Sequence, residues 1–190
     1  GARYVQLDDT TWAFLISKLY ETADQPEEHQ KYLQIAQDAV TVINALLKDL
    51  PEDLTVTTHI CRGNFQSTYL FAGGYDDVAE YLGQLNYDGV FLEYDDSRSG
   101  SFGPLAKIWN GDKNKRIVLG LITSKQPKLE DQSTIIDRVN EAAQYVPLEN
   151  LALSTQCGFA STEEGNKLTQ QQQWDKLRFV IQTAQKIWGE

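Results

Sequence analysis

"KRIVLGLIT", residues 115–123, is apolar almost throughout, as a strand is when both of its faces are covered. Working outward, "GPLAKIWN" (103–110) reads as a short helix and "DGVFLEY" (88–94) as the strand before it. On the other side, "LEDQSTIIDRVNEAAQYV" (129–146) reads as a helix, "LENLALST" (148–155) as a strand and "TQQQQWDKLRFVIQTAQKIW" (169–188) as a closing helix. Further upstream, "DLTVTTHIC" (53–61) is a strand and "GGYDDVAEYLGQLN" (73–86) a helix. The first unit is a short strand, Tyr4 to Leu7, and a helix over 25–50. Strands and helices alternate through five βα units, which predicts a parallel sheet with helical crossovers. Two closures fit that order. One is a doubly wound five-stranded sheet. The other is the last five units of a (β/α)8 TIM barrel, a fold that takes about 250 residues when complete.

The helix over 25–50 shows the clearest pattern. Pro26 suits a first turn, and Glu27 and Glu28 suit its positive end. Leu33, Ala36, Val40, Ile43 and Leu47 recur at 3–4 spacing and give one buried face. His29, in the polar first turn, reads as solvated. The glutamines at 170–173 are too few to count as low complexity, and no long linker interrupts the chain.

Composition narrows the function. The chain has 190 residues and a formal net charge of −10, which argues against nucleic acid because a phosphate-binding protein needs a basic face. No apolar run approaches the roughly 20 residues of a membrane helix, and no signal-peptide pattern opens the chain. Two cysteines make a poor disulfide framework and fit a reducing, cytoplasmic compartment better. The chain starts Gly-Ala and holds no Met, so it reads as a single catalytic-type domain truncated at its N-terminus. No GxGxxG follows a strand, which argues against a dinucleotide site.

Chemistry in parallel α/β folds gathers at the carboxyl ends of the strands. Here those ends carry Asp8 and Asp9, then His59 and Cys61, then Glu93, then Thr123, Ser124 and Lys125, and finally Cys157. One of two histidines and both cysteines therefore fall on one rim. His59 and Cys61 are two apart on a strand and point the same way. Each feature alone has a plainer explanation. A single His-x-Cys pair is usually incidental, a strand-end cysteine is usually a small buried hydrophobe, and a lone glutamate is often a salt-bridge partner. Together, an imidazole, two thiolates and a carboxylate make a ligand set that zinc prefers. Such a zinc would be electron-rich. It suits holding a thiol as a nucleophilic thiolate better than generating hydroxide, so thiol alkylation is the natural reading and hydrolysis the weaker one.

The ordered set "VQLDD", "THIC", "GVFLEYDDSRSG" and "LSTQCGF" resembles the catalytic domain of cobalamin-independent methionine synthase, and the resemblance runs over essentially the whole chain. It is nearest to the short, single-barrel relatives of that enzyme. The resemblance implies that the five units are strands four to eight of a barrel. It implies that Zn2+ binds through His59, Cys61, Glu93 and Cys157, and that Asp8 holds the amino group of homocysteine. The substrate thiol would bind zinc as Glu93 loosens, and its sulfur would take a methyl group from a folate nitrogen. Two departures stand out. The family places a proton-donating histidine in an Asp-x-His-Ser-Pro segment after the seventh strand, whereas this chain reads "LITSKQP" and puts Lys125 there. The first three strands are also absent, so the chain alone is expected to be inactive and to self-associate through the missing region. Asp9, adjacent to Asp8, should face the other way and serve a structural role.

Two other readings stay open. One is a different zinc-dependent thiol alkyltransferase, with another alkyl donor, on the same barrel. The other is a non-catalytic module that keeps a fully enclosed metal for stability.

Overall fold

The computed structural model describes residues 1–160 and 162–189. Five strands form one parallel sheet: β1 (Tyr4–Asp9), β2 (Thr55–Ile60), β3 (Gly89–Glu93), β4 (Arg116–Ile122) and β5 (Leu151–Thr155). Their spatial order is β1-β2-β3-β4-β5, the same as their order in the chain. A doubly wound sheet reverses direction at a switch point. This one never does, so it is the arc of a barrel with β1 and β5 as its outer strands.

Among the described residues, six α-helices join and follow the strands: α1 (Thr11–Glu21), α2 (Pro26–Leu46), α3 (Ala79–Gly83), α4 (Leu105–Trp109), α5 (Gln132–Ala142) and α6 (Gln170–Trp188). Strand parity explains where the core sits. Ile60, Val90, Leu92, Ile117, Leu119 and Leu151 face outward and are buried against Trp12, Leu15 and Leu19 of α1, Val40 of α2, Leu82 of α3, Ile108 of α4 and Val139 of α5. Each such side chain contributes about 1.5–3 kcal/mol when fully buried. The opposite face carries Tyr4, Gln6 and Asp8, all exposed on β1. That polar face is the interior of the arc.

Several elements depart from the sequence pattern. β1 runs on to Asp9, and α1 occupies residues to which the pattern assigns no element. Its buried Trp12, Leu15, Ile16 and Leu19 fall at helical spacing, but Thr10 makes no side-chain cap. Asp9 supplies the start instead, its Oδ1 accepting the Thr11 N–H at 2.8 Å. The expected helix over 73–86 shrinks to α3, because Gly73, at φ +131°, and the turn after it hold the chain off helical geometry. β5 begins only after a 3-10 turn at Leu148–Asn150. His29 is half-buried rather than solvated, with Nδ1 3.3 Å from Thr22 Oγ1. On α6, Gln172 has a specific role: its side chain and that of Thr169 bond each other's backbone in a capping box.

Candidate metal centre

Strand register builds the site. Asp8 lies opposite His59, His59 opposite Phe91, and Glu93 opposite Gly120. With side chains alternating along each strand, Asp8, His59 and Glu93 all turn to the polar interior. Cys61 stays in step, since its N–H still bonds Asp9 O at 3.0 Å. Cys157 arrives by another route. The β4–β5 register shifts between Gly120 and Ile122, and beyond the shift Gln156 N donates to Ile122 O at 2.8 Å. Gly120 makes this crossing possible. A Cβ there would stand 2.8 Å from Gln156 Cα and 2.9 Å from Leu92 O.

The ligand atoms of His59, Cys61, Glu93 and Cys157 lie within 4.8 Å of one another. His59, Glu93 and Cys157 are buried and Cys61 is half-buried. A tetrahedral zinc holds neighbouring ligand atoms about 3.3–3.8 Å apart, given bonds of about 2.0–2.3 Å. His59 Nε2 and Glu93 Oε1 are already 3.2 Å apart. Closing the widest separation takes a movement of about 1 Å, within the reach of side-chain adjustment. One imidazole nitrogen, two sulfurs and one carboxylate oxygen therefore fit a thiophilic divalent cation in both number and placement.

The imidazole is oriented for this role. Nε2 faces the cluster, and Nδ1 faces Asp8 Oδ1 at 3.4 Å, the arrangement by which a carboxylate fixes a metal-ligating histidine. Without metal, burial disfavours the His59 cation, but Asp8 and Glu93 outweigh it and raise the pKa to about 10. The Cys61 thiol is lowered to about 6, mainly by its hydrogen bond with Cys157. Glu93 is fully buried, and burial opposes its charge. His59, the Arg62 N–H and Arg98 prevail and hold its carboxyl below the usual range. The His59 contact likewise lowers Asp8.

Asp8 and Lys125 sit differently around the four. Asp8 touches His59 and accepts from Gln6 Nε2 at 2.9 Å, with its side chain 62% exposed. Lys125 does not join the cluster. Its ammonium pairs with Asp95, Asp95 pairs with Arg98, and Arg98 pairs with Glu93. Asn64 is a neighbour that the sequence reading passes over. Its Nδ2 donates to Glu93 Oε1 at 2.5 Å and lies 3.6 Å from Cys61 Sγ. The available signal was Gly63 in "CRGN": at φ +69° it turns the chain back so that Asn64 comes under Glu93. Arg98 stands in the "DDSRSG" segment that carries part of the resemblance, and its role is legible only in the structure. Asp96 orients it by accepting both its N–H and its Nη1. A cavity of about 250 Å³ opens beside the group, lined by Gln6, Asp8, His59, Phe91 and the stretch Ser154–Gly158. A larger one, about 540 Å³, lies between β5 and α6, is lined by Leu151, Leu153, Val180 and Trp188, and shares no residue with the cluster.

The class these features define is a barrel-type α/β chain whose carboxyl rim carries a group able to hold a metal. The family model described as the catalytic domain of cobalamin-independent synthase matches residues 1–186, and the chain belongs to that family. Two uncharacterized Bacillus subtilis proteins, YxjG and YxjH, are each 50% identical to it over 99% of this chain and 49% of their own length. The chain thus spans about half the length of the curated relatives it matches. Among solved structures, a putative vitamin-B12 independent methionine synthase from Listeria monocytogenes aligns with a TM-score of 0.72 at 40% identity, over 100% of this chain and 50% of that one. A B12-independent methionine synthase from Shewanella sp. W3-18-1, in complex with selenomethionine, aligns at 0.69 and 17% identity, over 98% and 49%, a likeness of fold. Among the described residues, no helix is long and apolar enough to cross a membrane.

Proposed function

We propose that the protein acts in zinc-dependent methyl transfer to a thiol, with homocysteine as acceptor and a methylated folate as donor. The observation that carries this reading is the convergence of His59, Cys61, Glu93 and Cys157 from three separate strand ends. These residues would hold the zinc, which when bound supplies a Lewis acid that keeps an incoming thiol deprotonated near neutral pH. Glu93 is the ligand suited to yield, because it already has other hydrogen-bond partners. Asp8, exposed beside the 250 Å³ cavity, suits the ammonium group of the amino-acid thiol. In the transfer, the sulfur–carbon bond forms as the carbon–nitrogen bond to the folate breaks, and the departing nitrogen keeps the electron pair and takes up a proton. Family membership and the names of the two solved relatives support this class of reaction. The negative charge speaks against a nucleic-acid partner, and two thiols near one another suit a reducing compartment such as the cytoplasm.

A second reading concerns the donor alone. Lys125, at the position of the family's proton-donating histidine, is occupied by Asp95. That favours a methyl donor whose leaving group needs no proton from this residue. The test is metal stoichiometry and X-ray absorption on the full-length protein, purified without chelator, with and without homocysteine, followed by methyl transfer from methyltetrahydrofolate. One zinc per chain should be found, and homocysteine should add one sulfur neighbour and remove one light atom. Protein that takes up no zinc would sink the proposal. A normal thiol response without folate turnover would leave the second reading in place of the first.

A further inference from the structure

We propose that Asn64 and Arg98 are positioning residues that hold the Glu93 carboxylate when it gives up its place in the cluster to a thiol. The inference rests on the thiol-transfer reading above. Glu93 is fully buried, so a carboxylate leaving a cation there would become an unpaired charge in a dry interior, a heavily disfavoured state. A carboxylate offers about four lone-pair sites, and here three are met by donors outside the cluster. Oε1 accepts the Arg62 N–H at 3.1 Å and Asn64 Nδ2 at 2.5 Å, and Oε2 accepts Arg98 Nη2 at 2.9 Å. A Glu93 that gives up its metal–oxygen bond to a thiolate would therefore keep these three donors instead of becoming an unpaired buried charge.

The donors are themselves fixed. Arg98 is gripped by Asp95 and Asp96 and lies over the Tyr69 ring at 4.0 Å. Asp95 is held in turn by Lys125, which gives that lysine a place behind Arg98. Asn64 is buried, and its amide reaches both Cys61, a ligand that stays, and Glu93, the one that leaves. Charge-assisted hydrogen bonds to a buried carboxylate shift an equilibrium by roughly ten- to a hundredfold, enough to decide whether exchange occurs at useful thiol concentrations.

The experiment loads the protein with Co2+ and follows its visible spectrum during titration with L-homocysteine. In Asn64→Ala and Arg98→Met, Co2+ should bind at one per chain and no more weakly than in the parent, while the thiol midpoint rises at least about tenfold. In a Glu93→Gln background, Asn64→Ala should leave the midpoint unchanged, because an amide that moves away carries no charge to house. Arg98→Lys should recover part of the response. A parent protein with no thiol response overturns both the thiol-transfer reading and this inference. A normal parent response with unmoved midpoints in both variants overturns this inference alone. Loss of Co2+ from Asn64→Ala overturns it too, since that marks a structural role in the site.

Discussion

Raising the pH from 7 to 9 should tighten metal binding steeply, and the proton on His59 contributes one unit of the slope. In the metal-free site its ring lies between two carboxylates, with Nδ1 3.4 Å from Asp8 Oδ1 and Nε2 3.2 Å from Glu93 Oε1. Burial works against the cation, but the two acids more than compensate and the pKa stands at about 10. A metal ligand must be neutral imidazole, so loading expels that proton. At pH 7 the proton is held by about three pH units, worth roughly 4 kcal/mol at 1.36 kcal/mol per unit. Apparent affinity should therefore climb about tenfold per pH unit between 7 and 9 on account of His59 alone. Cys61, with a pKa of about 6, is already ionised there and adds slope only at lower pH. Competition with a chromophoric chelator, corrected for the chelator's own protonation, measures the slope. Calorimetry in buffers of different ionisation enthalpy counts the protons released. A level affinity between pH 7 and 9, or no proton released at pH 8, would refute the reasoning and show that Asp8 and Glu93 do not hold a proton on His59.

Three further substitutions separate the parts. Asp8→Asn should raise the homocysteine midpoint about tenfold, the worth of a charge-assisted hydrogen bond, and leave a simple thiol such as 2-mercaptoethanol unaffected. Equal losses for both would assign Asp8 to His59 rather than to the substrate amine. Gly120→Ala should cost about 1–3 kcal/mol by overpacking and weaken metal binding, because its Cβ would push Gln156 and hence Cys157 away; denaturant titration and chelator competition check the two effects, and an unchanged metal affinity would refute the link. Lys176→Met should cost about 3–5 kcal/mol, since Lys176 is fully buried with its ammonium 2.9 and 3.0 Å from the two oxygens of Glu130. A loss below about 1 kcal/mol in urea unfolding would contradict that assignment.

The barrel arc was legible because its strands repeat one signal. "IVLGLI" is apolar on both faces, and helical patterns separate each strand from the next, so order and direction follow from covering apolar surface. What escaped was local. α1 buries Trp12, Ala13, Leu15, Ile16 and Leu19 at helical spacing, but no capping side chain at Thr10 marks its start. Its first turn takes its acceptor from Asp9, a residue of the preceding strand. Helix ends drifted for a similar reason. α5 starts where the Asp131 side chain accepts the Thr134 N–H, three residues inside the span that the apolar pattern suggests.

The site divides along the same line. Parity and strand-end position place His59 and Cys61 together from sequence alone, because a period of two leaves no other geometry for residues two apart on a strand. Whether Glu93 and Cys157 reach them depends on register between strands, which no single strand encodes. Here the β4–β5 shift and the missing side chain at Gly120 bring the Cys157 segment across. The glycine was visible in the most apolar strand of the chain, yet its purpose appears only when Gln156 is seen pressed against it. The charges behind the ligands are further from legibility. Lys125, Asp95 and Arg98 come from two different loops and form one linked set that ends on Glu93. Read alone, Lys125 looks like a replacement acid. In place, its ammonium is already held by Asp95, and through Asp95 and Arg98 its contacts lead to Glu93, the carboxylate that on the proposed reading a thiol displaces.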